Sequence, residues 1–176
     1  MITFKMKLSY GLGALGKDYA CAIVYIFLMY YFTDVLGIVP AFIGSLFLVA
    51  RVWDAVNDPI MGMIVDNTRS RWGKFRPWIL IGTLLNSITL IGLFYRPNGI
   101  STNTLYMYIS VMYILWGMTY TVMDIPFWAM IPSFSNDKHE REQIAVVPRV
   151  FAAIAWLTLG SFGLKIVQRI GNGNEG

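Results

Sequence analysis

The feature that most constrains this chain is a long apolar run with charged residues in its middle. The run extends from about residue 41 to residue 64, and a helix of about 20 residues crosses a bilayer core. It nevertheless contains Arg51, Asp54, Asn57 and Asp58. Residues at i, i+3 and i+4 share one face of a helix, so Asp54, Asn57 and Asp58 lie together, with Arg51 one turn earlier.

Charged groups in that position indicate a functional site. Ionisable side chains at membrane depth cost about 2.5–3.5 kcal/mol each on insertion scales, and they usually mark an ion or substrate path. The alternative is a structural Arg–Asp pair that holds two helices together. Because one Arg51 cannot neutralise both Asp54 and Asp58, we favour the path.

The composition is that of a polytopic membrane protein. Of the 176 residues, 56% are hydrophobic and only 14% are charged, whereas ordinary soluble domains have about 25% charged residues. The formal net charge is +4, but the basic residues cluster between apolar runs, which argues against a nucleic-acid partner. The single cysteine, Cys21, excludes an internal disulfide and its apolar surroundings indicate packing. The only histidine, His139, lies in a predicted polar loop, where we expect a solvated side chain and not a catalytic base.

Hydropathy predicts five membrane spans, at about residues 8–36, 41–64, 77–95, 104–131 and 147–167. The first is too long for a signal peptide, contains Lys17 and Asp18, and lacks a small-residue cleavage site, so we interpret it as an uncleaved helix. The odd number of spans and the Gly- and Asn-rich end, residues 171–176, favour the interpretation that the chain is the truncated N-terminal part of a larger bundle.

Lysine and arginine residues in the links predict a cytoplasmic N-terminus. With that orientation, eight basic residues lie in inner segments and two in outer segments. The inner residues are Lys5, Lys7, Arg69, Arg71, Lys74, Arg76, Lys138 and Arg141, and the outer residues are Arg96 and Arg169. The fifth helix then ends outside, with residues 171–176 as an outer tail.

The fourth predicted helix carries a stripe that suits a sugar. Tyr120, Asp124 and Trp128 are spaced i, i+4 and i+8, with Thr121 beside them. An aromatic ring covers the apolar face of a pyranose while a carboxylate accepts hydrogen bonds from its hydroxyls. Core packing with an interfacial Trp is the alternative, but a carboxylate between two rings favours a sugar site.

Further candidates lie on the first and fifth helices. Lys17 and Asp18 lie well inside the first helix, and Tyr25 follows two turns later on the same face. Arg149 can snorkel to the inner interface, bond adjacent sugar hydroxyls with its planar fork, or pair with Asp18 or Asp124. For the third helix we expect a supporting role, because its polar side chains can be satisfied by neighbours or backbone: Asn86, Ser87 and Thr89.

Charge balance and two prolines point to a cation. The predicted spans hold four carboxylates, at Asp18, Asp54, Asp58 and Asp124, and three cations, at Lys17, Arg51 and Arg149. A low-dielectric cavity with one excess negative charge attracts one monovalent cation or a proton. Pro59 and Pro126 remove the helical donors of the Ala55 and Val122 carbonyls, which offers further oxygen ligands for a hard cation.

Five motifs together identify a family. They are residues 16–18 (Gly-Lys-Asp), 51–59, 69–78, 116–128 and 148–149 (Pro-Arg). They closely resemble the glycoside–pentoside–hexuronide:cation symporter family of the major facilitator superfamily, over nearly the whole chain. The resemblance implies an all-α, twelve-helix carrier of the bacterial inner membrane, which works by alternating access and couples uptake of galactosides such as melibiose to Na⁺, Li⁺ or H⁺.

The resemblance also implies the roles of individual residues. Asp54 and Asp58 would be the cation carboxylates, with Asn57 and Thr121 nearby. The sugar-binding set would be Lys17, Asp18, Asp124, Trp128, Arg149, Tyr120 and Tyr25. The expected partners are a galactoside, a monovalent coupling cation, lipid and the missing C-terminal half of the carrier, with no other cofactor. Without that half, we do not expect the chain to transport alone.

Two other functions are weaker alternatives. A membrane-embedded enzyme with paired aspartates needs two facing carboxylates that share a proton, which Asp54 and Asp124 could supply. The Gly-x-Gly-Asp motif of such proteases is absent from the sequence, and the stripe on the fourth helix would be unused. The other alternative is a truncated chain with only an assembly role. We therefore expect a transporter component and not an enzyme.

Overall fold

The computed structural model describes residues 3–97 and 99–170, and the predicted outer tail lies outside this part of the chain. In that part, helices account for all the regular secondary structure, which confirms the all-α prediction. The helices are α1 (Phe4–Tyr30), α2 (Pro40–Asn67), α3 (Arg76–Leu93), α4 (Thr102–Ala129) and α5 (Lys138–Ile170). A π-helical turn, Tyr31–Val35, extends α1, and a 3₁₀ turn, Ile131–Ser133, precedes α5.

Within the described residues, four segments are long and apolar enough to cross a membrane. They are Phe4–Val35, Arg76–Leu93, Thr102–Ser133 and Lys138–Arg169. Helix α2 is not among them, because Arg51, Asp54 and Asn57 lower its mean hydropathy. With 28 residues, α2 is still about 42 Å long at a rise of about 1.5 Å per residue. Its role as a fifth span stays a prediction.

The predicted link over residues 132–146 is wrong, because α5 already begins at Lys138. The residues before Val146 are too polar to register as part of an apolar span, but they favour a helix start. Asp137 Oδ1 accepts a 2.9 Å hydrogen bond from the backbone N–H of His139, and Lys138 lies 4.0 Å from Glu142 one turn later. His139 is exposed, as expected, but lies in the first turn of a helix and not in a loop.

The described helices form two units, the first comprising residues 3–31 and 131–170. Here α1 packs along α5, and the two helices run parallel: Tyr19 bonds Thr158 at 2.8 Å, and further along both helices a Cβ on Gly163 would lie 2.6 Å from the Phe27 ring. A glycine at such a contact lets two helices approach closely, which is a common way to join helices inside a membrane.

The second unit, residues 32–97 and 99–130, has α4 in contact with both α2 and α3. Helix α2 runs parallel to α4, since Phe42 contacts Tyr106 with ring centroids 4.6 Å apart and Phe47 contacts Tyr113 at 4.8 Å. Helix α3 runs antiparallel to α4. Because α4 is common to both pairs, its rotation and axial position decide which of its side chains meet α2.

A basic hairpin joins α2 to α3. The Lys74 ammonium lies 2.8 Å from Asp66 Oδ1, and the Trp78 indole N–H donates to Thr68 Oγ1 at 2.8 Å. Gly73 has a φ of +92°, a left-handed conformation that favours glycine. An ion pair thus ties the last turn of α2 to the link that precedes α3.

Candidate functional site

The two carboxylates of α2 face two positions of α4 that are also one turn apart. Thr121 Oγ1 donates a 3.0 Å hydrogen bond to Asp58 Oδ1. A Cβ on Gly117 would lie 3.4 Å from Asp54 Oδ1. Because α2 and α4 run parallel, the i, i+4 pair Asp54/Asp58 lies beside the i, i+4 pair Gly117/Thr121. The structure thus brings the predicted carboxylates and the predicted hydroxyl into one cluster.

Arg51 balances part of the negative charge in this cluster. Its Nη1 lies 3.6 Å from Asp54 Oδ2, and the two side chains are 56% and 27% exposed. This ion pair lies within α2, so the contact itself does not join two helices. One guanidinium balances at most one of the two carboxylates, so the Asp54/Asp58 pair keeps a net demand for positive charge.

The other predicted oxygen donors are less well placed by the structure. Asn57 is half-buried on α2, whereas Ala55 and Pro59 are exposed. Helix α2 continues through Pro59 to Asn67, so the proline does not end it. A contribution of the Ala55 carbonyl to a cation shell stays a prediction.

The chemistry of the cluster suits a small monovalent cation. The two carboxylates and the Thr121 hydroxyl are oxygen donors, the type that hard cations prefer. The Asn57 amide, on the same helix, stays a predicted fourth donor. Thr121 is only 7% exposed, so its hydroxyl is a fixed partner for Asp58 and not a solvent-facing group. A proton on either carboxylate would satisfy the same charge deficit.

The stripe on α4 is arranged differently from a carboxylate held between two ring faces. The Trp128 indole N–H donates to Asp124 Oδ1 at 3.1 Å. The Tyr120 ring stacks on Trp116, one turn earlier, with centroids 5.6 Å apart and an interplanar angle of 28°. The Trp128 N–H therefore orients the Asp124 carboxylate, a group that accepts several hydrogen bonds when ionised.

The remaining predicted sugar residues lie in the first unit. Lys17 Nζ and Asp18 Oδ2 are 3.3 Å apart, and these side chains are 5% and 13% exposed. The Tyr25 ring packs against Trp156 of α5, with centroids 5.8 Å apart. Arg149 is exposed on α5. Lys17 and Asp18 therefore form a buried ion pair, while the hydrogen-bonding fork of Arg149 is accessible.

One residue of this region was missed by the sequence analysis, and another was given only a supporting role. Gly117 precedes Thr121 by one turn, as Asp54 precedes Asp58, and this matched spacing was the available signal. Asn86 of α3 is 2% exposed and hydrogen-bonds to α4, although only a supporting role was expected for it. A buried amide in an apolar span was the signal there.

The apolar helices, with half-buried carboxylates along them, are typical of an integral membrane protein of the transporter type. The chain belongs to the MFS/sugar transport protein family, whose model matches residues 9–175. The coarser part of the family prediction, a sugar transport family, is thereby confirmed.

Curated relatives agree with this family. The chain is 39% identical over 99% of its length to the putative glycoside/cation symporter YagG of Escherichia coli K12. It is 35% identical over 99% to the inner membrane symporter YicJ of the same organism, and 30% identical over 99% to the isoprimeverose transporter of Lactiplantibacillus pentosus. It covers 38%, 38% and 36% of these relatives, respectively. These relatives are transporters and not enzymes, as predicted at the family level.

Proposed function

We propose that this chain supplies the cation-coupling helices of a sugar:cation symporter, with Na⁺, Li⁺ or H⁺ as the coupling ion. The observation that carries the proposal is the cluster of Asp58 with Thr121 and Asp54 with Gly117 between two parallel helices. Family membership supports it, since one relative is named a glycoside/cation symporter. Asn57 is the fourth proposed cation-binding residue, beside Asp54, Asp58 and Thr121.

Coupling follows from charge. With no cation bound, the carboxylates of Asp54 and Asp58 repel each other across one helical turn, and Arg51 compensates only one of them in part. A bound Na⁺ or a proton removes this repulsion and favours the arrangement that binds sugar. Linkage then requires reciprocity: sugar raises the affinity for Na⁺ by the same factor by which Na⁺ raises the affinity for sugar.

The proposed sugar is a galactoside such as melibiose, because the motifs resemble the melibiose permease in particular. Asp124 is its proposed hydroxyl acceptor, oriented by the Trp128 indole, with Tyr120 nearby on the same helix. From the first unit we propose Lys17, Asp18, Arg149 and Tyr25. The carboxylate of Asp124 with its fixed indole donor supports the proposal, since such a pair recognises hydroxyls directionally.

We further propose that the protein lies in the bacterial inner membrane with its N-terminus in the cytoplasm and with α2 as one of five spans. The charge asymmetry of the links supports this orientation. The remaining partners are lipid and the rest of a carrier, since this chain spans under two fifths of the length of its relatives. We therefore propose that transport is an activity of the whole carrier, of which this chain forms one part.

The decisive experiment uses a full-length chimera in which this chain replaces the matching segment of one of the longer relatives. Asp58→Cys and Asp54→Cys should abolish stimulation by Na⁺ and uphill transport, while some sugar binding remains. The measurement is melibiose affinity with and without Na⁺ in membrane vesicles. Asp34→Asn is the matched control, because Asp34 is exposed and should leave the Na⁺ response intact. If Na⁺ tightens melibiose binding in both Cys variants as in the parent, the carboxylates are structural and the proposal is wrong.

A further inference from the structure

Asn86 is a buried amide on a helix that contributes nothing to the proposed cation site directly. It lies in the middle of α3 and is 2% exposed. Its Nδ2 donates to the Trp116 carbonyl at 3.2 Å and to Thr119 Oγ1 at 3.2 Å. The amide nitrogen therefore donates to two acceptors on one turn of α4.

The same turn of α4 has a second hydrogen bond to α3. Thr119 Oγ1 lies 3.0 Å from Thr89 Oγ1, one turn after Asn86. Thr119 Oγ1 also bonds the carbonyls of its own helix, at Leu115 and Trp116. Polar contacts of this kind between membrane helices fix a mutual orientation that apolar packing alone specifies weakly.

The α4 residues that contact α3 alternate along the helix with the α4 residues that face the carboxylates of α2. Trp116 and Thr119 meet α3, whereas Gly117 and Thr121 meet α2. A helix turns about 100° and rises about 1.5 Å per residue, so a slip of α4 by one residue would move Thr121 away from Asp58. A hydrogen bond of 3.0 Å does not survive such a displacement.

We propose that Asn86 is a positioning residue for the cation site: it fixes the rotation and axial register of α4, so that Thr121 and Gly117 meet Asp58 and Asp54. This inference rests on the proposed function of those carboxylates. A leucine at position 86 would fill the space, but it would offer no directional contact to Trp116 or Thr119. The amide therefore fixes the register of the α3–α4 interface, which close packing already stabilises.

The test uses Asn86→Leu in the full-length chimera, with melibiose as the sugar and Na⁺ as the cation. The half-saturating Na⁺ concentration should rise by about three- to twentyfold, the range expected for loss of one interhelical hydrogen bond in a membrane. Melibiose affinity without Na⁺ should fall by a clearly smaller factor, because Asp124 shifts with α4 but keeps its Trp128 hydrogen bond, which lies within the same helix. Ser87→Ala is the control, because the Ser87 hydroxyl donates within its own helix, to the Thr83 carbonyl.

A second pair of variants covers the case in which Asn86→Leu does not insert. Thr119→Val removes the hydroxyl at constant shape and should raise the half-saturating Na⁺ concentration, whereas Thr119→Ser keeps the hydroxyl and should restore the parental value. In a Thr121→Ala background, Asn86→Leu should have little further effect, since both changes act through one contact. If Asn86→Leu acted only by lowering stability, its effect would add to that of Thr121→Ala.

Three results would overturn the inference. One is a half-saturating Na⁺ concentration within twofold of the parent in both Asn86→Leu and Thr119→Val. Another is an equal loss of Na⁺-free melibiose affinity, and the third is full additivity with Thr121→Ala. Failure of the proposed function is separate, because it appears as a retained Na⁺ response in Asp58→Cys.

Discussion

Gly82 of α3 lies against the backbone of Met123 in α4, where a Cβ on Gly82 would fall 2.6 Å from the Met123 nitrogen and 2.9 Å from its Cα. Both are backbone atoms, so no flexible side chain can move aside to relieve the contact. The two helices therefore approach closely at the residue that directly precedes Asp124. The position of the proposed sugar carboxylate depends on this contact.

Gly82→Ala should separate α3 from α4 and destabilise the protein. Inserting a methyl group into such a contact costs about 1–3 kcal/mol, which should lower the unfolding temperature of the purified chain in detergent. In the chimera, melibiose affinity should fall, because Asp124 moves with Met123. Gly62→Ala is the control, since nothing lies within 4 Å of the added Cβ. Equal unfolding temperatures for the two variants would contradict this packing.

Gly117→Ala should spare the fold and weaken Na⁺ binding. Its Cβ would lie 3.4 Å from Asp54 Oδ1, an ordinary contact distance that needs no rearrangement. The methyl group would nevertheless occupy space beside the carboxylate and exclude a cation or its water from that side. We expect normal insertion and a several-fold higher half-saturating Na⁺ concentration for melibiose binding. Gly44→Ala is the control and should match the parent, because nothing lies within 4 Å of its added Cβ. If Gly117→Ala also matched the parent, Asp54 would not bind the cation.

Asp124→Asn should abolish binding of galactosides while the protein still inserts. The variant loses the charge that strengthens hydrogen bonds from sugar hydroxyls. Trp128→Phe keeps an aromatic ring but removes the donor to Asp124, so it should weaken melibiose binding less than Asp124→Asn does. The measurement is equilibrium binding of melibiose to membrane vesicles that contain the parent chimera or either variant. Parental affinity in Asp124→Asn would show that the stripe serves packing.

The predicted orientation can be tested with single cysteines in a Cys21→Ala background. Lys138→Cys should react with a membrane-impermeant maleimide only after the membrane is opened, because the start of α5 is predicted to be cytoplasmic. Asn103→Cys, in the exposed first turn of α4, should react in intact cells. The reverse pattern would show that the N-terminus lies outside.

Hydropathy and helical spacing located the five helices, with every end but the start of α5 placed within a few residues, because both are properties of a single segment. The common face of Asp54 and Asp58 was predictable for the same reason. Their partners were not predictable from spacing, since the Thr121 hydrogen bond and the Gly117 contact depend on how α2 lies along α4. The resemblance to known symporters placed Thr121 near the carboxylates, but gave no geometry and did not indicate Gly117.

The errors have equally local causes. The start of α5 was missed because its polar first turns, from Lys138 onward, contribute no hydrophobic signal, although capping by Asp137 begins the helix there. The stacking of the Tyr120 ring on Trp116 was also not predicted, although residues four apart on a helix are neighbours in both directions. Spacing alone does not predict which of its two helical neighbours an aromatic ring stacks on.

Thr121 and Asp124 project from adjacent turns of α4. A small motion of this helix therefore affects the proposed ion site and the proposed sugar site together. Side-chain ends lie about 5–6 Å from a helix axis, so a rotation of α4 by about 10° displaces them by roughly 1 Å. Such a displacement is enough to break the 3.0 Å bond to Asp58 and, in the same movement, to change the aim of Asp124. We therefore expect a small rotation of α4 to let an ion beside Thr121 change the position of Asp124, one turn further along the same helix.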